Sequence, residues 1–250
     1  MKKSTIFIIS IIILSLFSPA YSMTAKQVKQ LAEGAANGNA KEFMQLQAAA
    51  KLGNRSAQGW LGGYYLYSQN NDGKALYWWQ MAASNGDAHA EQCLGNLYYF
   101  GHGVPQDYPK AIYWWQKAVV QGDSRAESNL GNAYYYGHGV PQDYDKANYW
   151  YEKAAAHGSV NAEFNLGLAY YQGQGERQDY ARAVYWFRKA AVQGDAKSEF
   201  NLGYAYEKGQ GVPQNTPEAI YWWKKASAQG GRAGKAAQRN IGIVEHGSAR

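Results

Sequence analysis

Trp78, Trp114, Trp150, Trp186 and Trp222 each stand 36 residues from the next. The same stride separates Leu94-Gly95, Leu130-Gly131, Leu166-Gly167 and Leu202-Gly203, and also Gly86, Gly122, Gly158, Gly194 and Gly230. Self-similarity at a fixed period of this length is the mark of a stacked array. One unit cannot bury its own apolar faces, so neighbours must fold together. No unique catalytic constellation accompanies the period, which points to a protein that works through its surface.

One stretch, Asp123 to Gly158, shows how a unit is built. Asp123 can cap a helix, its carboxylate accepting from the free amides of the first turn. Ala126, Leu130, Ala133 and Tyr134 then recur at helical spacing. Gly137 stops that helix, because glycine tolerates the left-handed conformation just past the last turn. A short loop, His138-Gly139-Val140-Pro141-Gln142, leads to Asp143, which caps a second helix. Tyr144, Ala147, Trp150, Tyr151, Ala154 and Ala155 form its apolar set, and Gly158 ends it. The stop signals predict an antiparallel pair of helices of roughly 13 residues each. The glycine after each leucine costs about 1 kcal/mol in a helix interior, so its recurrence predicts a close approach there. Trp150 and its equivalents are expected to fill the space between pairs.

The remaining units vary this pattern. Five are predicted over 54–230, as 54–86, 87–122, 123–158, 159–194 and 195–230. The first is three residues shorter and lacks the Gly-x-Gly-Val-Pro loop, and the fourth has Glu176-Arg177 in place of Val-Pro. Residues 23–53 read as a degenerate N-terminal helix pair, and 231–250 as a capping helix followed by a tail. Atypical ends are expected of an array, since they cover an otherwise exposed apolar face.

The first residues have the form of an export signal. Lys2 and Lys3 precede the apolar run Ile6 to Phe17, and Ala20-Tyr21-Ser22 places small residues where a signal peptidase reads them. Residues 1–22 are therefore expected to be removed before Met23. The run is too short for a membrane span, which needs about 20 apolar residues, and no later segment could cross a bilayer. The mature chain is expected in a bacterial periplasm, with secretion as the alternative. Its formal charge falls from +6 to +4 when the two lysines leave. The basic residues do not cluster, which argues against nucleic acid as a partner. The single cysteine, Cys93, cannot make an internal disulfide, so stability has to come from packing.

Together these residues resemble the Sel-1-like repeat, a helix-pair repeat related to the tetratricopeptide repeat. The motif is carried by Ala90, Leu94-Gly95, Tyr98, Gly101-His102-Gly103-Val104, Asp107, Lys110-Ala111, Trp114-Trp115, Lys117-Ala118 and Gly122. Four full copies and a shortened one cover 54–230. The resemblance implies an all-α, right-handed α-solenoid of antiparallel helix pairs with a concave inner surface that holds other proteins. Members of that family include scaffolds in membrane-associated complexes, secreted bacterial proteins that engage host or envelope factors, and exported members that look like immunity proteins neutralising secreted toxic enzymes. Cysteine-rich relatives linked to penicillin binding or β-lactam hydrolysis carry a disulfide in every repeat. With one cysteine, this chain fits that branch poorly.

The resemblance also implies that the first helix of each pair lines the inner groove. With the leucine and tyrosine facing the core, the groove positions lie five and two residues before the leucine and two and five after it. They are His89, Gln92, Asn96 and Tyr99, then Arg125, Ser128, Asn132 and Tyr135, then Asn161, Phe164, Leu168 and Tyr171, then Lys197, Phe200, Tyr204 and Glu207. Phe164, Leu168, Phe200 and Tyr204 would form one apolar patch, extended by Tyr99, Tyr135 and Tyr171. Apolar patches rimmed by polar groups mark interaction surfaces, and aromatic anchors dominate binding energy. The bland alternative is that these side chains pack against one another or against the C-terminal helix.

Other chemistry is not indicated. His102 and His138 share a loop position, but a metal needs three or four ligands at about 2 Å, and they read as loop residues. Cys93 lacks an evident base and reads as a small semi-buried residue, and His89 and His157 have no evident partner. Asn129, Asn165 and Asn201 read as structural hydrogen-bonding groups. Asp107, Asp143 and Asp179 recur once per repeat as helix caps, unlike a unique acid–base pair in a cleft. The expectation is a non-enzymatic, cofactor-free, monomeric binding scaffold with a protein partner. An immunity or inhibitor protein, a secreted host-interaction factor and a cell-wall or β-lactam-acting enzyme remain as alternatives, the last fitting least well.

Overall fold

The computed structural model describes residues 22–247. The expected export signal, apart from Ser22, lies outside them. The described residues form thirteen helices and no strand. In chain order these are α1 (Ala25–Ala36), α2 (Ala40–Lys51), α3 (Arg55–Tyr67), α4 (Asp72–Ser84), α5 (Ala88–Phe100), α6 (Tyr108–Val120), α7 (Ser124–Tyr136), α8 (Tyr144–Ala156), α9 (Val160–Gln172), α10 (Tyr180–Val192), α11 (Ala196–Lys208), α12 (Thr216–Ala228) and α13 (Gly231–Gly247). The fold is an all-α solenoid of helix pairs, with each helix from α3 to α12 13 residues long. It divides into two compact units at Asp123, the first carrying α1–α6 and the second α7–α13.

The helix ends follow local chemistry. Asp107, Asp143 and Asp179 each accept a 3.0 Å bond from the amide three residues on, at Lys110, Lys146 and Arg182. Asn215 does the same for Glu218 at 3.0 Å. These caps satisfy amides that a helix start otherwise leaves open. At the other end, Gly173 (φ 72°) and Gly209 (φ 64°) terminate α9 and α11 in the left-handed conformation.

Within each pair the leucine is fully buried: Leu61, Leu94, Leu166 and Leu202 are 0% exposed. The adjacent glycine is explained chiefly by an aromatic ring, joined at Gly203 by the Ala219 carbonyl oxygen 3.0 Å from the Cβ position. A Cβ on Gly62, Gly131 or Gly167 would stand 2.5 Å from the ring of Trp79, Tyr151 or Phe187, and one on Gly203 2.6 Å from Trp223. Gly95 faces Trp115 in the same way. The second helix thus lays a ring into the space of the missing side chain. This corrects the expectation for Trp150, but not for its equivalents Trp78 and Trp222, which are buried at 8% and 7% exposed. The buried aromatic of its repeat is the next residue, Tyr151, at 2% exposed, while Trp150 is only partly buried and its ring carries Lys153 Nζ 5.5 Å above it. Adjacent helical positions differ by about 100°, and here the second of the two aromatics faces the core.

Antiparallel pairing is visible in side-chain bonds between opposite helix ends. Glu91, in the first turn of α5, accepts from Gln121 just past α6 at 2.8 Å and lies 3.4 Å from Lys117. In the first unit α1 and α2 contribute buried Val28, Ala32, Ala35, Leu46, Ala49 and Ala50, and Met23 packs on the same cluster. In the second unit α13 buries Ala237 and Ile241 against Ala219, Trp223 and Ala226 of α12. That helix continues to Gly247.

Candidate functional site

In the second unit the first helices of successive pairs, α7, α9 and α11, carry all the predicted binding residues except Tyr99. Asn165 on α9 donates to Asn132 on α7 at 3.2 Å. Lys197 on α11 places its ammonium 5.4 Å from the centre of the Phe164 ring on α9. These contacts make one continuous face. Phe164, Leu168, Tyr171, Phe200, Tyr204 and Tyr135 are all half-buried on it.

Their inner edges belong to the core. Phe164, Leu168 and Tyr171 pack on Tyr170, Ala183 and Phe187, with the Phe164 and Phe187 rings 6.1 Å apart. Phe200 and Tyr204 pack on the cluster of Trp223 and Ile241. Each therefore has one side spent on packing and one presented outward. Tyr135 and Tyr171 have a further structural use. The Tyr135 hydroxyl donates to Gln174 at 2.7 Å and that of Tyr171 to Gln210 at 3.3 Å, tying each to the Gly-x-Gly loop of the following repeat. Burial pushes both phenols above their ordinary pKa, and the nearby Tyr204 adds to the shift at Tyr171. Tyr99 belongs to the first unit, where it packs beside Tyr108 and Trp115 with ring centres 5.2 and 5.3 Å away.

Four of the predicted groove positions are not open surface. Gln92 and Ser128 are each 5% exposed. Asn96 accepts from Trp115 Nε1 at 3.2 Å and Asn132 from the Tyr151 hydroxyl at 2.8 Å, so each fixes a core ring. The groove rule placed these side chains by angle alone and did not account for the polar tips of the rings beneath.

The structure also shows a set of residues that the sequence reading passed over. Glu91, Glu127, Glu163 and Glu199 are 2%, 3%, 2% and 1% exposed. Buried carboxylates need partners, and these come from the end of the second helix. Lys117, Lys189 and Lys225 lie 3.4, 3.4 and 3.8 Å from Glu91, Glu163 and Glu199, and Gln121, Gln193 and Gln229 donate to them at 2.8, 2.7 and 2.7 Å. In the third repeat His157 takes the glutamine's place, its Nδ1 2.7 Å from Glu127, so His157 does have a partner. Burial is the largest influence on Glu199 and raises its pKa. The first repeat changes every member together to neutral residues, Gln58, Met81 and Asn85, with Asn85 donating to Gln58 at 2.9 Å. All are structural, and the 36-residue spacing of Glu, Lys and Gln was the available signal.

Cys93 is 6% exposed and its Sγ lies 3.8 Å from both ring nitrogens of His89, one helical turn away. His102 and His138 lie beside Phe100 and Tyr136, at 5.7 and 5.5 Å between ring centres. Among the described residues no three His, Cys, Asp or Glu side chains are grouped to hold a metal ion. No helix among them is long and apolar enough to cross a membrane.

The Sel1 repeat profile matches five consecutive segments, 46–87, 90–123, 124–159, 160–195 and 196–231. This chain belongs to the Sel1 repeat family. Solved structures agree with the assignment. A protective antigen present in uropathogenic Escherichia coli strains, displaying an SLR fold, is 30% identical with a TM-score of 0.76 over 91% of this chain and 53% of its own. A Sel1 repeat protein from Oxalobacter formigenes is 34% identical with a TM-score of 0.72 over 80% of this chain and 60% of its own. This Sel1 chain thus spans little more than half the length of these two relatives. None of the curated proteins compared with it matches significantly.

Proposed function

We propose that this Sel1 repeat protein is an exported, non-enzymatic scaffold that holds a protein partner on the first-helix face of its second unit. The observation that carries the proposal is the row of Phe164, Leu168, Phe200 and Tyr204. Four large apolar side chains are half-buried on neighbouring helices whose leucine and alanine cores are already closed. Partly exposed aromatic groups of this kind serve as binding anchors. Export is proposed from the basic start, the apolar run and Ala20-x-Ser22.

The test is capture from periplasmic extract by the mature chain, compared with two variants. Truncating an aromatic anchor commonly costs about 2 kcal/mol or more in binding. Phe200→Ala with Tyr204→Ala should therefore remove the captured protein while the helical circular dichroism persists. Because both side chains also touch the Trp223–Ile241 cluster, the exposed Lys197→Glu provides a second variant that leaves the core intact. Normal capture by both folded variants would place the working surface elsewhere. Mass spectrometry of the secreted or periplasmic protein should find Met23 as its first residue.

A further inference from the structure

The first unit departs from the repeat pattern at the positions that line its first-helix face. Later repeats carry Phe164 and Leu168, or Phe200 and Tyr204, where the first repeat carries Gly59 and Gly63. Gly62 between them is required by the Trp79 ring, but these two glycines are not sterically required. A Cβ on Gly59 would meet nothing nearer than 3.7 Å, and one on Gly63 nothing nearer than 4.0 Å. Both lie inside α3 without a positive φ. Each costs about 1 kcal/mol of helix stability relative to alanine. What they leave is a cavity of about 420 Å³, within the range of ligand pockets.

The hollow has a floor of Gly59, Gly63 and Trp79, the last held by a 3.1 Å bond from its Nε1 to the Gly59 carbonyl. Its walls are Trp60, which is 43% exposed, and Tyr64. Glu33 and Asp87 supply the charge of its lining, and neither lysine nor arginine is part of it. Lys29 lies 3.7 Å from Glu33 and Arg55 3.9 Å from Asp87, but these cations are 59% and 57% exposed. The Lys29–Glu33 pair is exposed on both sides and so weak and readily exchanged, whereas the Asp87 side chain is 17% exposed and its contact with Arg55 is long at 3.9 Å. Asp87 also caps α5 through a 2.8 Å bond from the Ala90 amide.

We propose that this hollow binds the side chain of an arginine presented by a peptide segment of a protein partner. A guanidinium is planar, so it stacks on an indole while its donor edge reaches a carboxylate, and its methylene stem suits an apolar floor. The chain makes the same arrangement internally. The Arg182 guanidinium carbon lies 5.2 Å from the Tyr170 ring centre, and its Nε is 3.8 Å from Asp179. The site is separate from the Phe164–Tyr204 face and shares with the proposed function only the idea of a protein ligand.

The experiment is titration of the mature chain with acetyl-Gly-Arg-Gly-amide, followed by the indole N–H signals of Trp60 and Trp79. The titration is run at pH 8. The arginine peptide should shift both signals to saturation, and the citrulline and lysine counterparts should bind at least about tenfold more weakly. Gly63→Leu, confirmed as helical by circular dichroism, should abolish the response by filling the hollow. Phe200→Ala with Tyr204→Ala should leave it unchanged, so failure here and failure of the second-unit proposal are told apart. The proposal is overturned by any of three results. These are equal binding of the citrulline or lysine peptide, an unaltered response in folded Gly63→Leu, or no indole shift at concentrations that would saturate a site of ~1 mM Kd.

Discussion

Replacing Gly167 by alanine tests whether the leucine–glycine pair exists to seat a ring. Two effects oppose each other. Alanine in a helix interior gains about 1 kcal/mol over glycine. Against that, the new methyl would stand 2.5 Å from the Phe187 ring. Carbon atoms settle at about 3.5–4.0 Å, so the ring has to retreat by about 1 Å. Phe187 is 2% exposed and closely packed with Tyr170 and Ala183, so the retreat displaces other core groups. Overpacking of this kind costs about 1–3 kcal/mol. Gly242→Ala supplies the control, because a Cβ there meets nothing within 4 Å and the residue lies inside α13. Urea unfolding should show Gly242→Ala stabilised by about 1 kcal/mol. Gly167→Ala should lie below it by the overpacking cost of about 1–3 kcal/mol, with equal m-values for the two variants. Adding Phe187→Leu to Gly167→Ala should recover part of that gap, as a coupling of about 0.5–3 kcal/mol between contacting residues. Indistinguishable midpoints for the two alanine variants would refute the seating argument.

Phe187→Ala should cost about 3–5 kcal/mol in the same assay, and Trp150→Ala distinctly less, because Trp150 is only partly buried; the reverse order would restore the tryptophan to the core. His157→Gln should change stability by no more than about 0.5 kcal/mol, since Gln193 and Gln229 make the equivalent bond to Glu163 and Glu199 at 2.7 Å; a large loss would show a role special to the imidazole. The Asp143 carboxyl is held below its ordinary pKa, first by the Lys146 amide and then by the Lys146 side chain. Its charge therefore stabilises the fold above the unfolded-state pKa near 3.8, and that contribution fades as pH falls through the lower folded-state value. Asp143→Asn retains a cap oxygen but not the charge, so its melting temperature should trail the parent's at pH 7 and converge with it in acid.

Much of this architecture was legible because the determining residues repeat. Glycine stops, aspartate caps and buried leucines act within a few residues of themselves, and their period announced the helix pairs. Orientation about the helix axis was harder. Trp150 and Tyr151 are both large aromatics, and only the position of Gly131 on the facing helix shows which ring enters the core. The four buried glutamates were missed for a related reason. A glutamate in a first turn ordinarily faces water, and its burial here depends on a lysine and a glutamine or histidine near the end of the other helix. The candidate face was legible in part. The angular rule found Phe164, Leu168, Phe200 and Tyr204, but it also selected Gln92 and Ser128, whose side chains are buried. The hollow at Gly59 and Gly63 was least legible, because it is made by missing side chains and appears only once the surrounding helices are in place.

The second glycine of the Gly-x-Gly loop sets how this chain can change length. Gly175 rests on the first turn of α8, its Cβ position 2.7 Å from the Tyr144 carbonyl carbon, and Gly211 rests in the same way on Tyr180 at the start of α10. Each contact reaches back 31 residues into the preceding repeat. Excision of 159–194 would bring Gly211 to the place of Gly175 and offer it Tyr144, the same kind of seat. Excision of one residue more or fewer would offset the glycine from that seat and put a side chain where none fits. Length in this chain is therefore quantised: whole repeats can be gained or lost with every joint re-formed, while a single-residue slip propagates as a mismatch.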